Sequence, residues 1–111
     1  MRKALLGLLI GMLPALAQTT SLSGVVTDPA GAVIPETIIT VTNQATAVTR
    51  TTASDGSGAY SLQQLPPGTY MVEAQRPGFS TFRLTEPLRL QVNLPAVLNI
   101  QMQLGQVSET V

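Results

Sequence analysis

Asp55-Gly56-Ser57-Gly58-Ala59-Tyr60-Ser61-Leu62 and, three residues on, Leu65-Pro66-Pro67-Gly68-Thr69-Tyr70 spell turn, strand, turn, strand. Gly56 and Gly58 give the backbone freedom to reverse, and Ser57 suits the same turn. Tyr60 and Leu62 lie two residues apart, so an extended segment puts both on one face. Pro66-Pro67-Gly68 stops that strand, and Tyr70, Val72 and Ala74 resume the alternation.

The same grammar extends in both directions. Ser21 to Thr27 reads as a strand that ends at the turn Asp28-Pro29-Ala30-Gly31. Thr37 to Asn43 follows Pro35, with Thr37, Ile39 and Val41 on one face, and Asn43-Gln44-Ala45-Thr46 is a loop before Val48 to Ala53. Arg76-Pro77-Gly78-Phe79 is a further turn, then Ser80 to Leu84 a short strand. Leu88, Leu90, Val92 and Leu94 alternate, as do Leu98, Ile100, Met102 and Leu104; Pro95-Ala96 between them suggests a final hairpin. Period-two patterning broken every 8 to 12 residues is the mark of an all-β sandwich or barrel. The expected fold is therefore a seven-stranded antiparallel β-sandwich, two sheets packed face to face. Its expected core holds Val33, Ile39, Val41, Tyr60, Leu62, Leu65, Tyr70, Val72, Leu90, Val92, Ile100 and Met102.

The N-terminus is different. Arg2-Lys3, the apolar run Ala4 to Leu13, Pro14 and then Ala15-Leu16-Ala17 have the layout of a helical signal peptide, with cleavage after Ala17 and a mature start at Gln18. The apolar run is shorter than the roughly 20 residues a permanent membrane helix needs. Three segments follow: 1–17 signal peptide, 18–104 sandwich, 105–111 polar tail or linker. Removal of Arg2 and Lys3 leaves two more acidic than basic residues, with no basic stripe for phosphates, so nucleic acid is not an expected partner. The chain has no Cys, so the exported domain folds on packing alone, without a disulfide framework.

The series Ser23-Gly24-Val25-Val26-Thr27-Asp28, Gly31-Ala32-Val33-Ile34-Pro35, Ile39-Thr40-Val41-Thr42-Asn43, Thr49-Arg50-Thr51-Thr52, Asp55, Gly58-Ala59-Tyr60, Leu65-Pro66-Pro67-Gly68-Thr69-Tyr70 and Pro77-Gly78-Phe79 resembles the carboxypeptidase regulatory-like domain. The resemblance covers roughly residues 21 to 104 and implies a prealbumin-like sandwich. It departs at Glu36-Thr37, where the family usually has Gly-Ala, and in the glycine-rich Asp55-Gly56-Ser57-Gly58. A leader, this domain and the tail Leu104-Gly105-Gln106-Val107-Ser108-Glu109-Thr110-Val111 resemble the start of a TonB-dependent, Oar-like outer-membrane receptor, in which a plug and barrel follow.

Chemistry is hard to find in this composition. There is no His, which removes Ser-His-Asp, Cys-His and His-ligated metal sites, and with them the purine-pathway hydrolase that shares the prealbumin fold. The acids are scattered over separate turns and strands. Asp55-x-Ser57 has one carboxylate and no bidentate Glu at the distance a calcium loop requires, so it reads as a turn. The internal Lys–Asn crosslink of related adhesin domains needs a Lys, and Lys3 lies in the leader. No cofactor, metal or catalytic residue is expected. Phe79 and Phe82 are the only aromatic candidates for ligand contact; three residues apart, they are expected on opposite strand faces, while Tyr60 and Tyr70 share the phase of the core. The expectation is a non-catalytic accessory module in the periplasm, outer membrane or cell envelope, or secreted, contacting a protein partner or downstream plug and barrel, with no membrane span of its own. The alternative is a carbohydrate-binding module, for which exposed rings would stack on glycan.

Overall fold

The computed structural model describes residues 18–105; the expected signal peptide, 1–17, with the expected cleavage-site residues Ala15 and Ala17, and residues 106–111, lie outside the described residues. Among the described residues there is no helix, and nine strands run in chain order. They are β1 (Thr20–Thr27), β2 (Ile38–Asn43), β3 (Thr49–Ala53), β4 (Ala59–Leu65), β5 (Gly68–Gln75), β6 (Phe82–Arg83), β7 (Leu88–Leu90), β8 (Ala96–Val97) and β9 (Ile100–Gln101). One sheet is built on β1, with β4 antiparallel on one side and β8 and β9 on the other. The second has the order β3-β2-β5, with β6 and β7 both on the far side of β5.

Burial follows the pleat. Leu22 and Val26 from β1 and Tyr60, Leu62 and Leu65 from β4 meet Ile39 and Val41 from β2 and Tyr70, Val72 and Ala74 from β5. Ile34, Leu90, Ile100 and Met102 close the core. The strand-opening turns are fixed by carboxylates. Asp28 Oδ1 accepts from the N–H of Ala30 and Ala32, and Asp55 Oδ1 from the N–H of Ser57 and Ala59 and from Ser57 Oγ. Buried Thr37 and Ser54 satisfy one another: Thr37 N–H donates to Ser54 Oγ at 2.9 Å, and Ser54 Oγ donates to Ile34 O at 2.8 Å.

Several expectations need correction. The sandwich is not wholly antiparallel, because β8 and β9 run parallel to β1. The two C-terminal runs do not form a hairpin: β7 pairs with β5 in one sheet, and the chain then turns at Asn93 and crosses to β1 in the other. Pro95 sits at that crossing. The described residues form nine strands where seven were expected, and the two C-terminal runs supply three of them, β7, β8 and β9. Leu65-Pro66-Pro67-Gly68 likewise carries the chain between sheets, since β4 belongs to the first and β5 to the second. Val33 is 46% exposed, and its neighbour Ile34 is buried instead. A one-residue slip in register exchanges the two faces, and Val33 meets Thr27 only at an isolated bridge, outside any strand. Val92 is half-buried, in the turn where Gln91 and Leu94 bridge.

Gly24 explains why β1 can hold its parallel neighbours so close. A Cβ at this position would stand 1.9 Å from Leu98 O, between β8 and β9. Leu98 N–H donates to Ser23 O, and Val25 N–H donates to the side-chain oxygen of Asn99. The Ser23-Gly24-Val25 segment is thus the groove into which the last crossing segment is laid.

Candidate functional site

The two tyrosines face inward as their phase demands. Tyr60 Oη donates to Leu98 O, and Tyr70 Oη to Pro66 O at 2.6 Å. Burial pushes the Tyr60 phenol well above its ordinary value. Each hydroxyl is engaged with backbone and each ring is enclosed, so neither offers a face for stacking. Phe79 and Phe82 are half-buried and both pack against the core. They do not take opposite faces, because no continuous strand joins them. Phe79 N–H closes a turn onto Arg76 O, and only Phe82 belongs to β6. Gln18, at the expected mature start, is exposed.

Asp55 is held below the usual carboxylate range, chiefly by the Ser57 N–H, then by the Ala59 N–H and the Ser57 hydroxyl. Its Oδ1 is thus directed into its own loop. Among the described residues no group of three or more acids, His or Cys could hold a metal ion. The one ion pair among them, Arg83 Nε to Glu73 Oε2 at 2.8 Å, lies on the outer face of the second sheet.

An apolar concavity lies at one corner of the sandwich, lined by Asn43, Thr46, Val48, Arg50, Gln64, Pro66 and Tyr70, with a volume near 380 Å³. Two of its polar side chains are turned to backbone. Asn43 Oδ1 accepts from the N–H of Ala45 and Thr46, and the Arg50 guanidinium donates to the carbonyls of Gln63 and Gln64. Val48, 58% exposed, is an apolar side chain left to solvent there. Beside this corner runs β3, which pairs with β2 alone. The unpaired strand edge was not among the residues singled out from sequence, because it arises from which strand ends the sheet.

Over residues 21–103 the sequence matches the carboxypeptidase regulatory-like domain, and the chain belongs to that family. No curated protein matches it. Similar solved structures include a candidate carbohydrate-binding protein from Bacteroides uniformis, with a TM-score of 0.62 at 17% identity, over 77% of this chain and 41% of the other. The major pilin subunit BcpA of Bacillus cereus has a TM-score of 0.61 at 14% identity, over 79% of this chain and 31% of the other. The hydroxyquinol 1,2-dioxygenase of Pseudomonas putida has a TM-score of 0.62 at 10% identity, over 85% and 59%. The chain spans less than two thirds of each of these proteins. Likeness at such identities establishes the fold, on which binding, structural and enzymatic proteins are all built.

Proposed function

We propose that this domain is a non-catalytic interaction and spacing module of the cell envelope, forming the N-terminal part of a TonB-dependent receptor-like protein. The observation that carries the reading is the unpaired edge of β3 on a sandwich whose tyrosines are turned inward and whose Asp55 is committed to its own turn. Backbone along an open strand edge binds extended protein segments. Membership of the carboxypeptidase regulatory-like family and the fold shared with a pilin subunit support a scaffold role. The signal-like N-terminus and the wording of residues 104–111 support the envelope and receptor context. No helix among the described residues is long and apolar enough to cross a membrane.

A photo-crosslinking residue at Thr51, in cells expressing the protein, tests this reading. Envelope-fraction adducts from Thr51, without adducts from a probe at Asp28, are expected. Cytoplasmic retention, or equal crosslinking from both positions, would count against it. Glycan binding remains the second reading, favoured by the shared fold of the Bacteroides protein. Micromolar binding on a glycan array, abolished by Phe79→Ala or Phe82→Ala, would reverse the ranking.

A further inference from the structure

The edges of the two sheets are not equivalent. Asn43 N–H donates to Val48 O and Ser54 N–H to Thr37 O, which sets the alternation along the β2–β3 ladder. The N–H and C=O of Thr49, Thr51 and Ala53 are thereby turned away from β2, toward the open side. On β4, the neighbouring edge, Arg50 Nη2 donates to Gln63 O at 3.0 Å and Nη1 to Gln64 O at 3.3 Å. Gln64 also takes a left-handed φ of 56°, which breaks the strand line there. The outer strands β6, β7, β8 and β9 have only two or three residues each. Sheets ordinarily blunt their edges by such devices: short strands, charge, irregularity or Pro. β3 has none of them. Its five residues, Thr49-Arg50-Thr51-Thr52-Ala53, pair with β2 in unbroken register, and its one charge is drawn over toward β4.

We propose that β3 pairs antiparallel with the β3 of a second copy of this chain, about a two-fold axis through Thr51. An isologous contact requires a surface that complements itself, and this strand meets the requirement residue by residue. With Thr51 opposite Thr51, the outward-bonding residues Thr49 and Ala53 face one another, and about six backbone hydrogen bonds form. Arg50 falls opposite Thr52, so no like charges meet. The outer face then carries a continuous threonine row, Thr40 and Thr51 of one copy followed by Thr51 and Thr40 of the next, since Thr40 is already the partner of Thr51 across the β2–β3 ladder. The second sheets of the two copies become one. A single short edge buries less than the roughly 1,000 Å² typical of a stable complex, so the pairing is weak, with a Kd on the order of 100 µM.

The inference rests on the protein-contact reading of the domain and names its partner. Sedimentation equilibrium of the exported protein, from about 10 µM to about 1 mM, should show monomer passing to dimer. In parallel, the amides of Thr49, Thr51 and Ala53 should become protected from hydrogen exchange as concentration rises. Thr51→Lys places two ammonium groups together at the axis and should weaken the dimer at least tenfold. Ser61→Lys, on the β4 edge, should leave it unchanged. Thr51 is exposed, so the variant should keep its melting temperature; the exchange measurement on the unaltered protein stands even if it does not. A monomer at 1 mM, or a dimer indifferent to Thr51→Lys, would overturn the self-pairing. Either result leaves Thr51 crosslinks to a different envelope protein standing, so the two readings fail separately.

Discussion

Tyr70 makes two separable contributions, a buried ring and a hydroxyl bonded to Pro66 O. Tyr70→Phe removes only the bond, from a carbonyl on an exposed residue that water can serve, and should cost about 1 kcal/mol in urea unfolding. Tyr70→Ala empties the core position and should cost about 3 kcal/mol in the same measurement. Both inward tyrosines were legible in the sequence because each sits in phase with aliphatic neighbours along a true strand. Phe79 and Phe82 were not, since the turn at Arg76 to Phe79 breaks the parity on which that argument depends. Glu36 is a further residue whose oddity shows in sequence: it stands where the family usually has glycine, and its φ of 59° lies in the left-handed region. Glu36→Gly should raise stability by about 0.5–1 kcal/mol, the relief of strain outweighing the added freedom of the unfolded chain. Asp55 has a folded-state pKa below its ordinary 3.8, so its contribution is complete above that value and is lost as pH falls through the lower one. The melting temperature of Asp55→Asn should therefore depend less on pH below about 4 than that of the parent.

Among the elements, β1 is the one on which the topology turns. It alone pairs on both sides within the first sheet, antiparallel to β4 and parallel to β8 and β9. Gly24→Ala would drive a methyl group into Leu98 O, a backbone atom that cannot swing aside. The expected loss is on the order of 3 kcal/mol, read from chemical denaturation, and Ser23→Ala should show far less. Turns and strand phases were plain in the chain because glycine, proline and aspartate mark them locally. Asp28 and Asp55 cap the turns anticipated from their positions. The final pairing was hidden for the opposite reason. Nothing between Leu88 and Leu104 states whether Pro95 ends a hairpin or a sheet-to-sheet crossing; that is settled by β1, some 75 residues earlier, at the Leu22 and Ala96 contact. Val33 was misplaced because its neighbour Ile34 is equally apolar, leaving the alternation a choice of two registers.

For the whole molecule, the enclosed core from Leu22 to Met102 links both sheets, so unfolding should be a single cooperative step. Far-ultraviolet circular dichroism of the chain starting at Gln18 should show β-structure without a helical band, and its melt should coincide with tyrosine fluorescence. Two separated transitions would mean that the sheets unfold independently. The sheet edge that carries the functional reading was not legible, since the free side of β3 is a property of the assembled sheet and no residue type announces it. A different property follows from the parallel pairing of β1 with β8 and β9. The described chain enters β1 beside Thr19, where Asn93 N–H reaches Thr19 O, and leaves past Met102, which bonds to Thr27 O at the other end of that strand. Tension applied between Gln18 and Gly105 would load the β1–β9 hydrogen bonds lengthwise, all at once, instead of peeling them singly. Resistance to such a pull is set by the unfolding rate and not by equilibrium stability. In single-molecule extension the domain should therefore hold to a high force and yield abruptly, and Gly24→Ala should lower that force: it would behave as a mechanical link as much as a surface.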